Sequence, residues 1–81
     1  MEDRAIITFI IRDRGVQFDL DIPLNISCNE LVIALNTAYS LGIDVSNIKS
    51  CYLKAENPIA LLRGNKSLYE YGIRNGSIII Y

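Results

Sequence analysis

The segment Ser67–Tyr81, reading SLYEYGIRNGSIIIY, decides the fold, and the rest of the chain arranges itself around it. Ser67 to Ile73 reads as one short helical turn that buries Leu68 and Ile73 beneath a loop. Arg74-Asn75-Gly76 then supplies a tight turn, because Asn and Gly enter positive φ at little steric cost. Ser77 to Tyr81 is a β-branched run that suits a strand buried on both faces, or nearly so. Such a strand is a central one, so the earlier elements are expected on both sides of it.

The whole chain is short. Its 81 residues are read as one domain, 1–81, of a size that buries only about 60% of the unfolded chain's surface. With 51% hydrophobic residues and two prolines it is globular rather than disordered. The charged opening Met1-Glu2-Asp3-Arg4 precedes an apolar run too short for a signal peptide or a membrane span. A cytoplasmic location is therefore expected, with no direct membrane insertion. Two cysteines in that setting read as reduced thiols.

Going back to the start, Ala5 to Arg12 is a strand with Ile7, Phe9 and Ile11 on one face and Ile6, Thr8, Ile10 and Arg12 on the other. Asp13-Arg14-Gly15 forms a hairpin turn. Val16 to Ile22 is a second strand with Phe18, Leu20 and Ile22 inward, and Pro23, lacking an N–H, ends its ladder. Ser27-Cys28-Asn29-Glu30 fits a capping box, and the helix after it carries Cys28, Leu31, Leu35 and Ala38 as an apolar stripe, with Ala34 and Tyr39 beside it. Gly42 is the expected left-handed cap, with Ile43 latching the exit. Asp44 to Lys49 is a connecting loop, Ser50 to Ala55 a third strand, and Ile59 to Arg63 a fourth after the turn Glu56-Asn57-Pro58. The order points to an α+β fold, one helix across one face of a mixed sheet.

A capped helix after a hairpin, two strands, a turn reading Leu-x-x-Tyr-Gly-Ile and a closing strand resemble the ubiquitin-like β-grasp. Ser67-Leu68-Tyr69-Glu70-Tyr71-Gly72-Ile73-Arg74-Asn75-Gly76 is similar to the Leu-x-[Asp/Glu]-x-Gly-Ile-x-Asn-Gly segment of the YukD/EsaB family, small ubiquitin-like proteins of bacterial type VII secretion systems. The resemblance covers essentially the whole chain, although this motif also recurs in other ubiquitin-like domains. It implies a five-stranded sheet of order 2-1-5-3-4, with Ile79 and Tyr81 inward and Ile78 and Ile80 on the uncovered face. It also implies a cytoplasmic accessory or regulatory component of a secretion machine. A ubiquitin-like adaptor unrelated to secretion stays open as an alternative.

The chemistry-bearing residues point away from catalysis. There is no histidine, hence no side chain whose ordinary pKa suits proton transfer near neutrality. Asp19 and Asp21 share the outer face of a strand, a pattern typical of a solvated surface. No set of residues has metal-ligand spacing, so neither a metal nor a cofactor is expected. Cys28 falls on the first helical turn but also on the apolar stripe, and Cys51 lies in a strand; both read as small buried hydrophobes. Gly64-Asn65-Lys66-Ser67 resembles the tail of a phosphate loop without its spacing or its long helix, and reads as a turn.

Binding classes remain. A conjugated modifier or sulfur carrier would present a C-terminal Gly-Gly; this sequence closes on Ile80-Tyr81, which argues against that class unless the chain is truncated. Nucleic acid would need clustered cations, whereas Arg4, Arg12, Arg14, Lys49, Lys54, Arg63, Lys66 and Arg74 are spread over every element and matched by nine acids. The expected class is a protein-interaction module. Because side chains alternate along a strand, Ile6 and Ile10 are expected on the face the helix does not cover; the resemblance adds Ile78 and Ile80, and Tyr52 joins them if Cys51 and Leu53 face the helix. That patch is the candidate contact for a protein partner, either a component of the machine or a second copy of the chain.

Overall fold

The computed structural model describes residues 3–81; Met1 and Glu2, part of the charged opening, lie outside the described residues. Five strands form one sheet: β1 (Arg4–Ile11), β2 (Val16–Pro23), β3 (Leu53–Glu56), β4 (Ala60–Leu62) and β5 (Ile78–Ile80). One helix, α1 (Cys28–Tyr39), packs on a single face. The strand order is β2-β1-β5-β3-β4. β5 is central as expected, running parallel to β1 and antiparallel to β3.

The core lies between sheet and helix. Ala5, Ile7, Phe9 and Ile11 of β1 point into it, with Ile79 of β5, Leu53 and Ala55 of β3, and Leu62 of β4. Leu68 and Ile73 of the Ser67–Ile73 turn are buried there too. That turn carries the complete reciprocal capping box: Ser67 Oγ accepts from the Glu70 N–H at 3.1 Å, and Glu70 Oε2 accepts from the Ser67 N–H at 3.2 Å. At α1 the Ser27 hydroxyl does its half, accepting from the Glu30 N–H at 3.1 Å.

Four local expectations need correction. The buried stripe of α1 is Cys28, Leu31, Val32 and Leu35, whereas Ala34 and Ala38 face solvent. Val32 supplies more apolar area than either alanine, so the helix turns it inward. The left-handed residue that ends the helix is Ser40 (φ 52°), two residues before Gly42. The Asn36 side chain holds both the N–H and the C=O of Ile43 (2.9 and 3.2 Å), which draws the chain back before Gly42. Third, Val45–Ser50 is a 3-10 segment capped by the Asp44 carboxylate, which accepts from the Ser46 N–H. The backbone therefore extends only from Leu53; Cys51 caps that segment and Tyr52 stands just before the strand. Last, Pro23 lies within β2, opposite Arg4, and the Leu24 N–H still donates to Asp3 O at 2.8 Å. β2 is an edge strand, where a missing donor is tolerated.

The hairpin face is right but its burial is not uniform. Leu20 and Ile22 reach the core, while Phe18 near the hairpin tip stays 37% exposed and stacks on Tyr39 (centroids 4.8 Å apart). Arg12–Arg14 form a 3-10 turn closed by Gly15 at φ 63°. From it the Arg14 guanidinium donates to the carbonyls of Tyr39 (2.6 Å) and Ser40 (2.7 Å), joining hairpin tip to helix end.

Candidate interaction surface

The registers define the outer face row by row. Gln17, Ile10, Ile80, Lys54 and Leu61 lie side by side across all five strands. The next row holds Asp19, Thr8, Ile78 and Glu56, and beyond it Ile6 pairs with Asp21. Ile6 is 58% exposed and Tyr52 50%, while Ile10, Ile78 and Ile80 are half-buried by their strand neighbours. The five residues singled out from the sequence thus stand on one side of the sheet, interleaved with polar side chains rather than forming an unbroken apolar patch. Tyr81 turns the other way, its hydroxyl 3.5 Å from Leu41 O, yet it remains 36% exposed.

The fourth strand expected at Ile59 to Arg63 is present as β4 (Ala60–Leu62), but sequence reasoning assigned none of its residues to this face. Ile59 and Leu61 are both exposed and flank the same face, with Ala60 and Leu62 turned inward. The alternation Ile59, Leu61 against Ala60, Leu62 carried that signal.

Two shallow clefts meet at the Ile80 end of the sheet. One, of about 450 Å³, is bordered by Ile43, Asp44, Cys51, Tyr52 and Tyr81. The other is bordered by Glu56, Ile59, Ala60 and Leu61. Arg12, Lys54 and Ile80 line both. At the opposite end the acids are engaged: Arg4 Nε donates to Asp21 Oδ1 at 3.0 Å and Thr8 Oγ1 to Asp19 Oδ1 at 3.3 Å.

Residues 4–80 match the family described as WXG100 protein secretion system (Wss), protein YukD. The chain belongs to the YukD family. No curated protein matches its sequence significantly. The solved structures it resembles are ubiquitin-like domains. That of tubulin-binding cofactor B superposes with TM-score 0.76 at 19% identity, over 99% of this chain and 89% of that one. The C-terminal domain of mouse tubulin-specific chaperone e gives 0.72 at 13% identity, over 98% and 84%. That of yeast Ddi1 gives 0.68 at 13%, over 99% and 88%. At these identities the likeness establishes the fold, the ubiquitin-like β-grasp read from the closing segment.

The remaining candidate groups of this YukD-family chain are positioned for structure. Cys28 is 1% exposed, and burial pushes its thiol up to about 11, against smaller opposing pulls from the Arg63 backbone and the Lys66 charge. Cys51 is half-buried, its Sγ donating to Asp44 O and Asn47 O at 3.6 and 3.5 Å. The Gly64–Ser67 loop does sit at the start of α1, but as a partner of the helix. Cys28 N–H donates to Lys66 O and Asn29 N–H to Gly64 O, each at 3.0 Å. Glu30 and Leu31 N–H donate to Ser27, so the first four helical donors are all taken and none is left for a phosphate. Among the described residues, no group of three or more His, Cys, Asp or Glu could hold a metal ion, and no helix is long and apolar enough to cross a membrane.

Proposed function

We propose that this chain is a non-catalytic docking module of the WXG100 secretion machine, a single ubiquitin-like unit that binds a protein component through the outer sheet face. The observation that carries the reading is a sheet layered on one side only, with Ile6, Ile10, Tyr52, Ile78 and Ile80, and Ile59 and Leu61 beside them, on the other. Apolar groups grouped on one open face favour a partner, since burying them again recovers hydrophobic free energy. A preformed sheet adds little ordering cost on binding. The lack of histidine and the buried, protonated thiol of Cys28 support a role without chemistry. Two unpaired thiols fit the reducing cytoplasmic side.

Capture from the native host with a tagged chain tests this. Machine components should come down with the unaltered chain and be lost with Ile10→Lys or Ile80→Glu, while circular dichroism and thermal midpoint stay close to the parent. Unfolding of those variants would make the positions core, and unchanged capture would move the contact elsewhere. Loss of a self-association instead would make a second copy the partner.

A further inference from the structure

The outer face is polarised along its strands. Its acids, Asp19 and Asp21 on β2 and Glu56 on β3, sit toward the Ile6 and Ile78 rows, and two of the three are engaged by Thr8 and Arg4. Its cations, Arg12 and Lys54, sit at the Ile80 end and carry no ion pair or side-chain hydrogen bond among the described residues. Lys54 lies directly opposite Ile80, and the Arg12 N–H donates to the carbonyl of the next residue, Tyr81, at 3.0 Å. Both clefts therefore meet over one apolar floor residue held between two unengaged cations.

We propose that this end of the face, Arg12, Lys54 and Ile80, receives an acidic peptide segment of a partner protein, with carboxylates flanking an apolar side chain. The proposal rests on the docking reading above and names the chemistry of the occupant. The apolar side chain would lie on Ile80, whose neighbours in the row are Ile10 and Lys54. Arg12 follows β1 and Lys54 lies on β3, the two strands that flank β5; two strand spacings across and two residues along put their backbones about 12 Å apart. Alternate residues of an extended segment are separated by about 7 Å, a spacing that two long flexible side chains can span. Arg12 offers a planar fork for one carboxylate and Lys54 a point charge for another. Asp44, at the rim of the first cleft, accepts from Ser46 and keeps its charge, so it bounds the acidic segment on that side. Glu56 lies two residues from Lys54 and repels acids from the Ile78 row, which fixes the acidic segment over the Ile80 end.

A second copy, acid end against basic end, is the competing occupant. Five strands spaced by about 4.8 Å over roughly 15 Å of strand length would bury on the order of 700 Å² in total, below the roughly 1,200 Å² of a stable interface. A short segment fits the space better.

The test uses the full chain, isotope-labelled for amide shifts, and three short synthetic peptides that differ only in the residues flanking one leucine: glutamate, glutamine or lysine. The glutamate peptide should shift the amides of Arg12, Tyr52, Lys54 and Ile80. It should bind at least about tenfold tighter than the glutamine peptide and weaken as salt rises from ~0.05 to ~0.5 M. Lys54→Glu combined with Arg12→Glu should reverse the order in favour of the lysine peptide. Lys66→Glu, a charge change away from the face, should leave glutamate binding within about twofold. Equal binding of the glutamate and glutamine peptides overturns the proposal, as do shifts confined to the β2 edge or α1, or a Lys66→Glu loss as large as that of Lys54→Glu. Concentration-dependent shifts of the same amides without peptide would replace it with a second copy. If the glutamate preference fails while capture still depends on Ile80, only the acidic chemistry is wrong; if both fail, the docking face is wrong.

Discussion

Three consecutive isoleucines in β5 give a comparison in which only the facing changes. Ile79 is fully buried beneath the helix, in register with Phe9 on one side and Ala55 on the other. Ile79→Ala removes three carbons worth about 0.8 kcal/mol each and leaves a cavity between neighbours that cannot close in, so the loss should be about 3–4 kcal/mol. Ile78 and Ile80 are half-buried, touching strand neighbours but no covering layer; replacing either by Ala should cost about 1 kcal/mol, mostly strand preference and partial area. At this chain length total stability is roughly 4–12 kcal/mol, and each kcal/mol moves the midpoint by about 4–8 °C. The Ile79 variant should therefore melt roughly 12–30 °C lower and the other two roughly 4–8 °C lower. Urea titration and thermal melting, both followed by circular dichroism, measure this directly. An Ile80 or Ile78 penalty equal to that of Ile79 would refute the one-sided layering on which the docking face depends.

The pH dependence of Cys28 has a definite sign. Its folded thiol is raised to about 11 from 9.0, so its contribution is fully present below pH 9 and is lost as pH rises toward 11; the difference in thermal midpoint between parent and Cys28→Ala should show that loss. In native buffer a thiol reagent should label half-buried Cys51 before Cys28, and denaturant should equalise them; immediate native labelling of Cys28 would contradict its burial. Arg14→Ala should cost about 1 kcal/mol, because two carbonyls at the helix C-terminus lose a charged donor, and amide exchange should quicken in the last turn of α1. Ser67→Ala should cost about 1 kcal/mol in urea titration by opening the capping box, with Ser67→Thr restoring most of it.

How much of this was legible in the sequence depended on whether local pattern or distant contact decides the feature. The alternation in β1 and β2, the Ser27 cap and the buried Leu68 and Ile73 are local, and all stand where expected. Phe18 was placed on the correct face, yet its exposure depends on how far the helix reaches over the hairpin tip, which periodicity does not encode. Val32 displaced Ala38 from the core because the sheet fixes the rotation of the helix, and a helix whose one charged side chain, Glu30, lies in the first turn offers little contrary signal. The exit at Ser40 was hidden because Asn36 and Arg14, not a glycine, dictate it. On the outer face Ile6 and Ile10 followed from alternation and Ile78 and Ile80 from the family resemblance, whereas the unengaged state of Arg12 and Lys54 required the sheet order, which brings together residues 42 positions apart.

The central strand has a consequence for cooperativity. Among the described residues no ladder joins β1 to β3; within the sheet, the two hairpins are linked only through the three residues Ile78, Ile79 and Ile80. Thr8 and Ile78 become neighbours only after a long loop has closed, and that entropy is recovered only when both sides of β5 have paired. If β5 opens, the sheet parts into two ribbons that share no ladder and keep in common only their packing on α1 and the loops beside it. Partial opening at the middle is thus not separable from global unfolding. The slowest-exchanging amides should be those of β5 and its partners Phe9 and Ala55, and they should open together as one unit.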